Sequence, residues 1–173
     1  MRRLIFYLLM IFTAFFLQTG IFTHLTLGGI LPNFFIICSV SVGMIRGKKE
    51  GCLIGFIFGI LIDAMYAMYF GFYALILAVI GYMAGYVQQI FYEEDMTLPI
   101  VIIGASDMLY GILIYLFSFL TRGRMDFLFY FRKIILPETI YTVILAVFIF
   151  RMISLINKKI ETKGSEKHIE KNI

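Results

Sequence analysis

The sequence predicts an all-α polytopic membrane protein with about six transmembrane helices, and three observations predict it. Of its 173 residues 61% are hydrophobic, and the mean hydropathy is +0.94; a soluble domain is about 45–50% apolar. The apolar residues form continuous runs such as 4–22, unlike the roughly ten-residue segments of alternating polarity in a membrane β-barrel. Lysines and arginines gather at the ends of the runs and in the C-terminal tail, as the positive-inside rule requires. The net charge of +4 follows from that placement and is no signal for nucleic acid.

The first span covers residues 4–22 behind Met1-Arg2-Arg3. Its apolar run is longer than the 7–15 residues of a signal-peptide core, and no small-x-small cleavage site follows. It reads as an uncleaved span with a cytoplasmic amino terminus, and His24 beyond it as a solvated loop residue. Pro32 and Asn33 open the second span, 32–45. This is short for a bilayer core of about 30 Å, so tilted, half-buried and re-entrant arrangements all stay open for it. The loop Arg46-Gly47-Lys48-Lys49-Glu50 is the densest basic connection and belongs in the cytoplasm. That requires an even number of crossings before it and makes the second segment a crossing.

Spans three (52–68) and four (72–90) are joined by the short outer turn Tyr69-Phe70-Gly71, which makes them antiparallel neighbours. The acidic run Glu93-Glu94-Asp95 follows on the inside and is neutral under the rule. Span five covers 98–120. The loop 121–133 then falls outside, although it carries Arg122, Arg124, Arg132 and Lys133 against eleven basic residues on the inner side. Its aromatic, amphipathic part, 126–132, suits the outer interface. Span six, 136–156, starts with Pro137 in the first turn, where a missing N–H is harmless. Residues 1–157 thus form one transmembrane domain, and 158–173 a polar cytoplasmic tail, either a short helix extension or frayed, the second being expected.

Within this frame the small residues and acids stand out. Gly51, Gly55, Gly59 and Asp63 recur every four residues and lie along one slowly drifting helical stripe. Glycines let another backbone come close, and an acid in an apolar helix needs a compensating group. Ala74, Ala78, Gly81 and Gly85 form a second track on span four. One track is expected to serve the hairpin and the other to receive an outside helix. Gly104, Asp107 and Gly111 share one face of span five, with Asp107 roughly 14 Å deep. For Asp63 and Asp107 the structural reading is a carboxyl satisfied at a packed seam; the functional reading is a polar anchor or a proton or substrate site. Glu138 sits in the first turn of span six, where a helix amino terminus favours an acid.

No phosphate loop, dinucleotide fingerprint, HExxH or CxxC occurs. His24 and His168 lack partners for a metal site or a triad, and Cys38 and Cys52 read as free packing residues. Catalytic, cofactor-binding and metal-binding residues are therefore not expected, and nothing in the residues argues for an enzyme.

Taken in order, these features resemble the rod shape-determining membrane protein family MreD over about residues 4–157. The resemblance rests on Pro32, the basic loop 46–50 with Gly51, then Gly55-Phe56-x-x-Gly59-x-x-x-Asp63, Gly71, and Gly81-Tyr82-x-x-Gly85. Leu136-Pro137-Glu138-x-x-Tyr141 completes it. Two positions depart from the family's usual residues: Asn33 stands where aspartate is common, and Thr142 where asparagine is common. The resemblance implies a non-enzymatic scaffold subunit of the cell-wall elongation (rod) complex in the bacterial cytoplasmic membrane, both termini inside. Its implied partners are an MreC-like single-span protein, an MreB-like filament, the complex's polymerase and transpeptidase, and a second copy in a homodimer. The small-residue faces would bind the single-span helix, with Asp63 and Glu138 as polar anchors. The implied architecture is similar to the substrate-binding subunits of energy-coupling-factor transporters. The alternative reading is accordingly a small-molecule-binding subunit of a vitamin-type transporter.

Overall fold

The computed structural model describes residues 2–21, 29–66, 71–89, 96–122 and 126–170. His24, residues 67–70, Glu93-Glu94-Asp95, Arg124 and Lys171 lie outside the described residues. The described chain is an all-α bundle. Helix α1 (Arg2–Phe16) runs into a π-helical stretch, Leu17–Ile21, and is followed by α2 (Phe34–Arg46) and α3 (Lys48–Tyr66). Helix α4 (Phe72–Ala84) precedes a 3-10 turn, Val87–Gln89, and then comes α5 (Thr97–Arg122). Short α6 (Phe127–Tyr130) joins α7 (Leu136–Glu170) through a second π-helical stretch, Phe131–Ile135.

Phe72–Gln89, Thr97–Phe117 and Phe127–Lys159 are long and apolar enough to cross a membrane; Leu4–Gly20 and Phe34–Arg46 are apolar but shorter. The large apolar side chains left exposed include Leu8 and Phe12 on α1, Leu75 and Val79 on α4, and Ile144 and Phe148 on α7. Facing lipid, such side chains incur no cost, because acyl tails are as apolar as leucine.

The short second segment is the centre of the bundle. Every residue of α2 from Phe34 to Met44 is buried, and the helix touches α1, α3, α4, α5 and α7. A helix that is apolar all round is stable where it is covered all round, which is how thirteen residues serve here. Its two serines are closed on the helix itself: Ser39 and Ser41 donate to the Phe35 and Ile37 carbonyls at 2.6 and 2.5 Å. The Phe35 ring stacks on Phe58 of α3 at 4.9 Å.

Both ends of α2 are tied down. Asn33 caps its amino terminus, its side chain accepting from the Ile36 N–H at 3.3 Å. The Phe34 N–H donates to Gln18 Oε1 at the end of α1, at 3.0 Å. At the other end Gly47, with φ of 96°, turns the chain into α3, a backbone conformation that side chains disfavour. Gln88 reaches across this turn and donates to the Ile45 carbonyl at 3.2 Å.

Two expectations are altered. The polar segment after residue 157 continues α7 as helix to Glu170. It is rich in lysine and glutamate, which favour helix, and contains no proline. The aromatic segment 127–135 is continuous with the last helix instead of standing apart from it. It leans on α5, where the Tyr115 ring meets those of Phe127 and Tyr130 at 5.2 Å each.

Candidate partner site in the membrane

The α3–α4 hairpin is closed by glycine. A Cβ at Gly55 would strike the Leu77 carbonyl, one at Gly59 the backbone of Ala74, and one at Gly81 the carbonyl of Gly51. Gly85 lies equally close to the backbone of Lys48. The two small-residue tracks therefore face each other, and neither is left open to an outside helix. Gly43 of α2 joins them, since a Cβ there would stand 2.5 Å from the Gly81 carbonyl oxygen. Three backbones thus converge at Gly43, Gly51 and Gly81.

Asp63 sits at the outer end of the same hairpin and is 3% exposed. Its Oδ1 accepts the Tyr73 N–H at 3.1 Å and its Oδ2 the Ala74 N–H at 2.9 Å. These are the second and third residues of α4, whose first N–H groups have no partner within the helix. Gly71, in the left-handed conformation at φ of 100°, brings the chain round so that α4 starts against α3. A carboxylate at a helix amino terminus is also favoured by the helix dipole. Asp63 is the cap of α4, supplied from the preceding helix.

The second acid lies in the α5–α7 seam. Gly104 receives a side chain of α7 and Gly111 one of the π-helical stretch before it: a Cβ at Gly104 would meet Val143 Cγ2 at 2.9 Å, and one at Gly111 would meet Ile135 Cγ1 at 3.0 Å. Between them Asp107, 2% exposed, faces the hydroxyls of Thr139 and Thr142. Neither Asp107 oxygen, nor Thr139 Oγ1, has a partner at hydrogen-bond distance among the described residues. Glu138, one position before Thr139, lies against the Asn33 side chain and within electrostatic reach of Asp107. Tyr110 on α5 and Tyr130 before α7 are within electrostatic reach of Glu138. The Asn33 N–H donates to Thr142 Oγ1 at 3.0 Å and completes the cluster. Five polar residues from three helices, Asn33, Asp107, Glu138, Thr139 and Thr142, thus meet inside an apolar bundle. Glu138 and Tyr141 are half-buried, whereas Asp107 and Thr142 are fully enclosed.

A third polar group closes the opposite end of the bundle. Arg46, with 5% of its side chain exposed, lies 3.8 Å from Glu50 and 5.9 Å over the Tyr7 ring, and the Tyr7 hydroxyl donates to Glu50. It locks α1, α2 and α3 together. Among the described residues no three His, Cys, Asp or Glu side chains gather as a metal site.

Of the residues singled out in the sequence, Gly51, Gly55, Gly59, Asp63, Gly71, Gly81 and Gly85 come together in the hairpin, and Asp107 and Glu138 in the polar cluster between α5 and α7, while Pro137 and Tyr141 are half-buried on α7 outside both. Sequence reading did not connect Asn33 and Thr142 to the acids, because their cluster joins residues more than a hundred positions apart. The available signal was the grouping of Glu138, Thr139, Tyr141 and Thr142 at the start of an apolar span.

The family described as rod shape-determining protein MreD matches the chain over residues 1–159. No curated protein and no solved structure matches it.

Proposed function

Since the chain belongs to the MreD family of rod shape-determining proteins, we propose that it serves rod shape as a non-enzymatic scaffold of the cell-wall elongation complex. It lies in the bacterial cytoplasmic membrane with both termini inside, holds an MreC-like single-span protein, and through it reaches an MreB-like filament and the peptidoglycan synthases. The observation that carries this reading is the polar cluster at Glu138. Both glycine tracks are closed within the hairpin and Asp63 is occupied as a cap, so a partner helix has neither to bind. Glu138 is different: it is half-buried and has no ion-pair partner among the described residues.

A single-span helix that presents a hydrogen-bond donor to Glu138 gains an interaction of about 1–2 kcal/mol in the bilayer. Asp107 and Thr139 lie beside Glu138 but are enclosed in the bundle, so they do not reach the partner themselves. In this reading the loop 46–50, at the other end, meets anionic lipid or filament proteins through Lys49, which is exposed.

Depletion tests this reading. Rod cells depleted of the protein should round up while growing in minimal medium. Cells that stay rod-shaped and acquire a vitamin requirement would instead mark a transporter subunit.

A further inference from the structure

Three buried oxygens of the α5–α7 seam have no hydrogen-bond partner among the described residues: Asp107 Oδ1, Asp107 Oδ2 and Thr139 Oγ1. Asp107 is 2% exposed and Thr139 8%, and the hydroxyls of Thr139 and Thr142 face the Asp107 carboxylate. Asp107 also has no ion-pair partner among the described residues. We propose that these three oxygens, with Thr142 Oγ1 beside them, bind one dehydrated sodium ion.

What the orphaned atoms share selects the ligand. All three carry lone pairs. Hydrogen bonds from the two threonine hydroxyls would serve the carboxylate oxygens but leave its negative charge in an apolar bundle, where an uncompensated charge is strongly disfavoured. A proton on Asp107 would cancel the charge but occupy a single oxygen. A cation cancels the charge and meets all three oxygens at once.

The number of acids sets the valence. Calcium takes about 6–8 oxygens, and magnesium keeps several of its waters. Here no three His, Cys, Asp or Glu side chains gather among the described residues. Asp107 supplies one full charge, which a monovalent ion matches. Thr142 Oγ1 accepts the Asn33 N–H with one lone pair and keeps a second for the ion. Val143 packs on Gly104 and Ile135 on Gly111, on either side of Asp107, and so tight a seam favours sodium over the larger potassium. Glu138, half-buried and within electrostatic reach, strengthens the attraction and is relieved of repulsion once the ion is bound. The inference stands apart from the scaffold reading. It concerns enclosed atoms and is measured on the isolated protein, so either can fail without the other.

The test is binding of radiolabelled sodium to the purified full-length protein, in detergent at fixed pH with choline as the replacement salt. One sodium per chain is expected, displaced by unlabelled sodium and far less effectively by potassium. The unfolding midpoint should rise by several degrees as sodium replaces choline, in step with the logarithm of its concentration. Asp107→Asn keeps the shape of the side chain and should abolish binding. Should that variant fail to fold, Thr139 decides. A lost outer-shell partner costs about 10–100-fold in metal affinity, so Thr139→Val, which loses a ligand, should weaken binding at least as much. Thr139→Ser should bind as the parent does. Absence of bound sodium in the parent overturns the proposal, as does binding that survives Asp107→Asn or is equal in Thr139→Val and Thr139→Ser. A midpoint indifferent to sodium that rises on acidification would place a proton there and overturn it as well.

Discussion

The backbone N–H of Asn33, at the start of α2, donates to Thr142 Oγ1, in the second turn of α7, at 3.0 Å. This bond fixes the central helix to the last one beside the acids Asp107 and Glu138. It also joins the two positions at which the sequence departs from the family's usual residues.

Thr142→Val is nearly isosteric and removes that acceptor together with the hydroxyl that faces Asp107. It leaves a buried N–H without a partner, which costs about 1–3 kcal/mol. Thermal unfolding in detergent should show a clear loss of stability, whereas Thr142→Ser should stay close to the parent.

The hairpin predicts a contrast between glycines. Gly55→Ala sets a methyl group against the Leu77 carbonyl and forces α3 and α4 apart. Backbone cannot yield as a side-chain tip does, so the cost should exceed the 1–3 kcal/mol or so of ordinary overpacking. Gly20 has nothing within 4 Å, and Gly20→Ala should be neutral. The recovery of monodisperse protein on size-exclusion chromatography distinguishes the two.

Asp63 as a cap predicts destabilisation that needs no partner. Asp63→Leu leaves the Tyr73 and Ala74 N–H groups unpaired, at about 1–3 kcal/mol for each. Asp63→Asn keeps one acceptor oxygen and should lose roughly half as much. Unfolding of the isolated protein measures both, and an unchanged Asp63→Leu midpoint would remove the capping role.

The class was legible because sixty-odd per cent hydrophobicity in long runs admits few alternatives. The α3–α4 seam was legible too, since glycine at every fourth residue has one obvious use. Spacing alone did not reveal that Ala74, Ala78, Gly81 and Gly85 form the facing half of the same seam, because periodicity gives a stripe but not its partner. The centrality of α2 was written in its circumference: Phe34 to Met44 has no charged residue on any side. Its shortness drew attention to tilt and re-entry instead. The Asn33–Asp107–Glu138–Thr142 cluster depends on how α2, α5 and α7 are arranged around one another, and that arrangement is set by packing over the whole bundle.

Co-purification of the MreC-like partner with Glu138→Leu tests the central claim most directly. The variant, tagged and expressed as the only copy, should insert in the membrane at parental levels and unfold near the parental midpoint. It should recover the partner at least fivefold less well, in cells that round up. Full recovery of the partner in rod-shaped cells would contradict the assignment of Glu138 as the anchor.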